Sequence, residues 1–285
     1  MLGIPRNSKL LLGLIALAMV NCHAPPREKT ASPDETRSLD WELVFEEDFS
    51  DDSHQEQWQL DGFADLEIET EGNTSYLKIR TKASETNPDN KQSVFWCRKR
   101  FPGDLRFVFR AKGNPGNRSI FYFNANPTPI SGYNSIFDWD RPDAQMTQYA
   151  GKDIIKLYTV GILRDDQAEC NLCYIGGTTA PAYREYLKNP GASAQAVYGR
   201  ETILQAYYSP FLNKPYTWFE FDLQILGRRL AMKVDGETVF GCEDPGNVGT
   251  EDYPWTSLTN GGWLGFRNFV PGTVCIDYLK VYRKK

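Results

Sequence analysis

Histidine is nearly missing from this chain of 285 residues: His23 and His54 are the only two. Ser-His-Asp and Cys-His chemistry both require an imidazole beside the nucleophile. His23 falls in a proline-rich N-terminal stretch and His54 in an early loop, so neither supplies that base. With so little histidine and only one CxxC, at Cys170 and Cys173, the usual zinc ligand spacings are also excluded. No run or stripe of Lys and Arg occurs, the formal charge is -5 and the pI is about 5.3. A nucleic-acid partner, which needs a basic face, is therefore excluded. Long apolar runs are lacking too. The one candidate, Leu10 to Val20, is too short to span a bilayer comfortably.

That run has another reading. Arg6 and Lys9 precede it as a positive n-region, and it ends at Cys22 in the sequence AMVNC. The pattern resembles a bacterial lipoprotein signal over residues 1–22, with Cys22 as the lipidated residue; a plain secretory signal is the alternative. Residues 23–38 are rich in Pro, Ser and charge and read as a flexible tether. The expected location is the bacterial cell envelope, periplasmic or surface, with membrane contact only through the lipid. Once Cys22 is set aside, Cys97, Cys170, Cys173, Cys242 and Cys275 remain. Their number is odd, so at least one is free or pairs between chains. The flanks of the CxxC read as strand and loop, not as the βαβ context of a redox motif. A disulfide formed in an oxidising compartment is the expected alternative.

Residues 39–285 read as one all-β domain. Leu66–Thr70, Tyr76–Thr81, Leu105–Ala111, Trp218–Ile225, Leu230–Val234, Thr238–Cys242, Trp263–Asn268 and Val274–Tyr282 carry strand patterns, and Val94–Trp96 is a short apolar run. Asp235-Gly236 is a hairpin turn. Ile120, Tyr122 and Asn124 share one face of a further strand, opposite Phe121 and Phe123. Many short strands with Gly, Asn and Asp turns argue for a sandwich or barrel. Two stretches, 125–152 and 176–214, interrupt the pattern, the second with a short helix expected at Tyr183–Leu187.

The two ends add a resemblance. WELVFEEDFSDD at 41–52, followed by Trp58, and VCIDYLKVYRKK at 274–285 are similar to the opening and closing strands of concanavalin A-like jelly rolls in bacterial glucanases and laminarinases. In those folds the two strands pair. SVFWCRKRFPGDL (93–105), ECNL (169–172) and GFRNFVPGTVCIDY (265–278) resemble, in this order, the FWC, CNL and GFR elements of the YesU-like family of the same superfamily. The resemblance implies a concanavalin A-like jelly-roll β-sandwich of two antiparallel sheets and a poly- or oligosaccharide partner. It does not imply a reaction.

The glucanases of this superfamily work with an alternating set of carboxylates on one strand. The corresponding stretch here, 154–164, has none, and Asp165 and Asp166 are adjacent, so in extended chain they point to opposite sides. The alternating Asp65, Glu67, Glu69 and Glu71 lie early in the domain and read as a solvated strand face. Instead, 154–164 places Lys156 and Tyr158 on one face, with Arg164 at its end and a Cys-Asn-Leu-Cys turn beyond. Such a face either meets water or lines a polar site. In the second case, Arg164 with Asn171 or Asn124 would neutralise a sugar carboxylate, and Tyr158 or Lys156 would remove the acidified proton, which is β-elimination by a polysaccharide lyase. The alternatives are a non-catalytic glycan-binding lipoprotein and a hydrolase with atypical carboxylates.

Sugar rings stack on aromatic faces while amides and Arg bond their hydroxyls. Trp96, Tyr122, Asn124, Trp139, Asn171 and Arg267 are the candidate binding residues. For Trp96 the competing reading is core packing, and for Arg267 a structural pair with Asp277. No cofactor is required. The glucanase resemblance implies a structural Ca²⁺ at Asp48 and Asp277, with a carbonyl near Gly72; the competing reading is a surface acidic patch.

Overall fold

In the computed structural model, residues 40–83, 92–114, 118–127, 131–138, 155–164, 167–175, 201–208, 214–244, 258–270 and 272–285 are described, with Arg118, Arg164, 167–175 and 201–208 as backbone only. Fifteen strands and one short helix occur among them: β1 (Trp41–Glu47), α1 (His54–Gln57), β2 (Trp58–Gly62), β3 (Ala64–Glu71), β4 (Thr74–Thr81), β5 (Gln92–Cys97), β6 (Leu105–Gly113), β7 (Arg118–Pro127), β8 (Ile155–Arg164), β9 (Gln167–Ile175), β10 (Glu201–Tyr208), β11 (Phe219–Leu226), β12 (Arg229–Val234), β13 (Glu237–Glu243), β14 (Trp263–Phe269) and β15 (Thr273–Lys284). They form two antiparallel sheets. One runs β13-β12-β11-β6-β15-β4-β3, with β1 added beside β15, and the other runs β10-β9-β8-β7-β14-β5-β2. The expected pairing of first and last strands is present, from Trp41 opposite Lys284 to Glu47 opposite Leu279.

Period-2 alternation builds the sandwich. In β6, Leu105, Phe107, Phe109 and Ala111 point inward and are buried, while Arg106, Val108 and Arg110 lie between them on the outer face. Phe121 and Phe123 of β7 and Phe266 of β14 meet them from the other sheet, with Phe109 and Phe121 ring centroids 4.8 Å apart. On the outer side of the first sheet, charges pair across strands: Lys78 with Glu69, Lys82 with Asp65, and Arg106 with Asp222. The Asp65-to-Glu71 series thus belongs to a solvated ladder, as its alternation predicts.

Two expectations change. Cys170 to Cys173 is not a turn but lies within β9, which pairs with β8 so that Thr159 faces Asn171. The interruption expected at 176–214 contains β10, paired with β9. Neighbouring turn residues concealed that strand. The helix expected at Tyr183–Leu187 lies outside the described residues, as do Cys22 and the tether. The thiols of Cys97 and Cys275 are free. Burial pushes Cys97 up to about 12 and Cys275 up to about 11, which makes both poor nucleophiles.

Candidate functional site

The seven-stranded sheet buries side chains on both faces. Phe95, Phe121, Phe123, Tyr158 and Phe266 enter the core between the sheets. Val94, Trp96, Tyr122, Ile155, Leu157 and Trp263 form a second cluster on its other face, and Tyr133, Ile136 and Phe137 of segment 131–138 pack against them. Strand alternation alone sorts neighbours such as Phe121 and Tyr122 into opposite clusters.

On that second face Trp96 and Tyr122 both lie opposite Gly265, one from each flanking strand. Their ring centroids are 5.6 Å apart. A Cβ at Gly265 would sit 2.7 Å from Trp96 Cε3, so only glycine lets the indole lie so close to the strand. Trp96 and Tyr122 are fully buried. They make a packed floor, and for Trp96 core packing is what the structure shows.

Arg267 is two residues further along β14, opposite Val94 and Ile120. It is 6% exposed. Its Nη1 donates to Tyr122 Oη at 2.6 Å, Nη2 donates to Gln92 Oε1, and the guanidinium lies 4.3 Å from the centre of the Phe269 ring. Its Nε has no hydrogen-bond partner, and among the described residues no carboxylate pairs with it. The pair with Asp277 does not form, because Asp277 accepts from Arg110 at 2.9 Å. Gln92 and Phe269, which face each other across β5 and β14, are only partly buried and border the guanidinium. The sequence reading missed both. Gln92 directly precedes the SVFWC motif and Phe269 lies within GFRNFVPG, and that placement was the available signal.

Tyr158 and Asn124 belong elsewhere. Tyr158 is fully buried in the core between the sheets, its ring stacked 5.4 Å from Phe123. Its hydroxyl donates to the Asp244 carboxylate and accepts from the Leu258 N–H at 3.2 Å. Asn124 was expected to share a face with Tyr122. It sits instead at a bulge with φ of 48°, and its Nδ2 donates to Leu258 O at 2.6 Å. The bulge turns it away from the Tyr122 face and towards the Leu258 segment that Tyr158 also holds. Asp244 and Leu258 are 86 and 100 positions from Tyr158, so no local pattern reveals them. Replacing Tyr158 with Phe removes one hydroxyl that serves two buried partners. The expected loss is about 1–3 kcal/mol of stability in urea unfolding, with little change in any glycan affinity.

Lys156 is half-buried, and desolvation lowers its pKa. Arg164 ends β8, and Asn171 is placed on β9 opposite Thr159. Trp139 lies outside the described residues. Asp48 is exposed and accepts from the Ser50 N–H, while Asp277 already holds the Arg110 cation. That donor set does not fit Ca²⁺. The described residues hold no cluster of three acidic, His or Cys side chains suited to a metal.

The seven-stranded sheet carries its acidic residues, Asp61, Glu169 and Glu201, on β2, β9 and β10. β5, β14, β7 and β8 are adjacent strands, and none contains Asp or Glu. Together they carry Arg118, Lys156, Arg164 and Arg267.

No family model and no curated protein matches the chain. Solved structures do. One is a Bacillus subtilis protein of unknown function with a galectin-like fold, at 12% identity and TM-score 0.58, covering 86% of this chain and all of that one. Another is the laminarinase catalytic domain from Thermotoga maritima, at 13% identity and TM-score 0.50, covering 86% of this chain and 99% of that one. The chain has the galectin- and glucanase-type jelly-roll fold.

Proposed function

We propose that this chain is a carbohydrate-active jelly roll of YesU-like type that captures poly- or oligosaccharides on the outer face of its seven-stranded sheet, beside Arg267. The observation that carries this reading is the absence of Asp and Glu from β5, β14, β7 and β8. Glycoside hydrolysis, retaining or inverting, normally uses two carboxylates flanking the bond. Four strands without any favour holding sugar over hydrolysing it. Kinship of fold with a laminarinase catalytic domain supports the choice of ligand class. Lipidation at Cys22 and placement in the cell envelope belong to the same proposal, supported by the Leu10–Val20 segment that ends at Cys22.

A second reading, β-elimination, is favoured by one observation: burial draws Lys156 towards the neutral form that a base requires. Tyr158 is not its partner there, since its hydroxyl is committed to Asp244 and Leu258. Incubating the full chain with neutral and acidic polysaccharides separates the readings. Capture predicts retention of polysaccharide without new reducing ends and without new near-ultraviolet absorbance. An unsaturated product would establish the lyase, new reducing ends alone would establish a hydrolase, and no retention of any glycan would end the proposal.

A further inference from the structure

We propose that Arg267 is an oxyanion-binding residue, and that the glycan taken by this face carries an acidic group, a carboxylate or a sulfate ester. The inference deepens the glycan reading above and rests on it for the identity of the ligand. An arginine that is 6% exposed normally has an anion against it, because an uncompensated buried charge is expensive. Arg267 has two neutral acceptors instead, the Tyr122 hydroxyl and the Gln92 amide oxygen. Guanidinium offers five N–H groups, and its Nε–H lies buried without a partner on the edge that it shares with Nη2. That edge has the spacing of the two oxygens of a carboxylate or sulfate, the bidentate geometry in which Arg outperforms Lys. Phe269 holds the plane of the guanidinium from its face, so the fork is set before a ligand arrives.

The register of the sheet points the same way. Ile120 on β7 lies opposite Arg267, and Arg118, two residues before it, lies directly opposite Arg164 of β8. Three arginine positions thus gather at one end of three adjacent strands that contain no acidic residue.

The test titrates the full chain, at low and at physiological salt, with an oligogalacturonide, a sulfated galactan oligosaccharide and a neutral laminari-oligosaccharide. It also measures melting in sodium sulfate for the wild type and for Arg267→Met and Arg267→Lys. One acidic arm is expected to bind at least about tenfold more tightly than the neutral one, and which arm does so identifies carboxylate or sulfate. The preference should vanish in Arg267→Met and fall in Arg267→Lys. Sulfate should raise the melting temperature more in the wild type than in either variant. Equal binding of neutral and acidic sugars would overturn the inference and leave the glycan reading standing. Sulfate stabilisation that depends on Arg267, with no glycan bound, would keep the oxyanion site and overturn the glycan reading. Absence of both would overturn both. The three wild-type titrations decide the matter even if the Met variant does not fold.

Discussion

Replacing Phe121 with Ala is expected to destabilise the fold by about 3–5 kcal/mol, the range for emptying a large aromatic site in a packed core. Phe121 has no solvent exposure and lies at the centre of the contact between the sheets. Its ring is 4.8 Å from Phe109, 5.5 Å from Phe107 and 5.1 Å from Phe266, so strands of both sheets lose packing together. Neighbouring rings cannot all collapse into the void, because each is already fixed by others; Phe109 is stacked on Phe221 at 4.8 Å. Urea unfolding followed by tryptophan fluorescence reads the effect as a lower midpoint at unchanged slope. A loss below about 1 kcal/mol would mean that Phe121 does not hold this central position.

The second large effect is at Gly261, just before β14. Gly261→Ala should destabilise by roughly 3 kcal/mol or more, by adding backbone strain to overpacking. Gly261 has φ of +70°, and a Cβ there would lie 1.9 Å from Phe101 O and 2.8 Å from Pro102 Cα. Both obstacles are backbone and cannot swing aside. Phe101 and Gly262 exchange two backbone hydrogen bonds, at 2.9 and 2.8 Å, and Asn126 Nδ2 donates to Gly261 O at 2.7 Å. Shifting this corner displaces the start of β14, and with it the strand that carries Arg267. Thermal melting should show the loss for Ala, and proteolysis should show earlier cutting.

Much of the jelly roll was legible because its strands advertise themselves by alternation. Leu105 to Ala111 and Leu230 to Val234 fall inside observed strands for that reason. Asp235 and Gly236 both take positive φ, as a tight hairpin demands. β9 and β10 were not legible. The CNLC run looks like a turn by composition, and its strand character comes from pairing with β8. The site divided along the same lines. Period 2 sets Ile120 and Tyr122 on the face opposite Phe121 and Phe123, as observed, but it also predicts Asn124 there, and a bulge at that residue reverses its direction. Lys156 and Tyr158 invited a reading as a catalytic face. The phenol instead satisfies buried partners, Asp244 and Leu258, that only the tertiary fold brings near. Arg267 was legible as an oddity, an arginine within an apolar strand. Its lack of a carboxylate partner became visible only once Asp277 was seen to hold Arg110.

The most direct test of the central claim is amide hydrogen exchange on the full chain, with and without a saturating acidic oligosaccharide. If the glycan lies on the outer face of the seven-stranded sheet beside Arg267, protection should rise in β5, β7 and β14, across residues 92–97, 118–127 and 263–269. Protection confined to β4, β6 and β11 of the opposite sheet, at 74–81, 105–113 and 219–226, would contradict it.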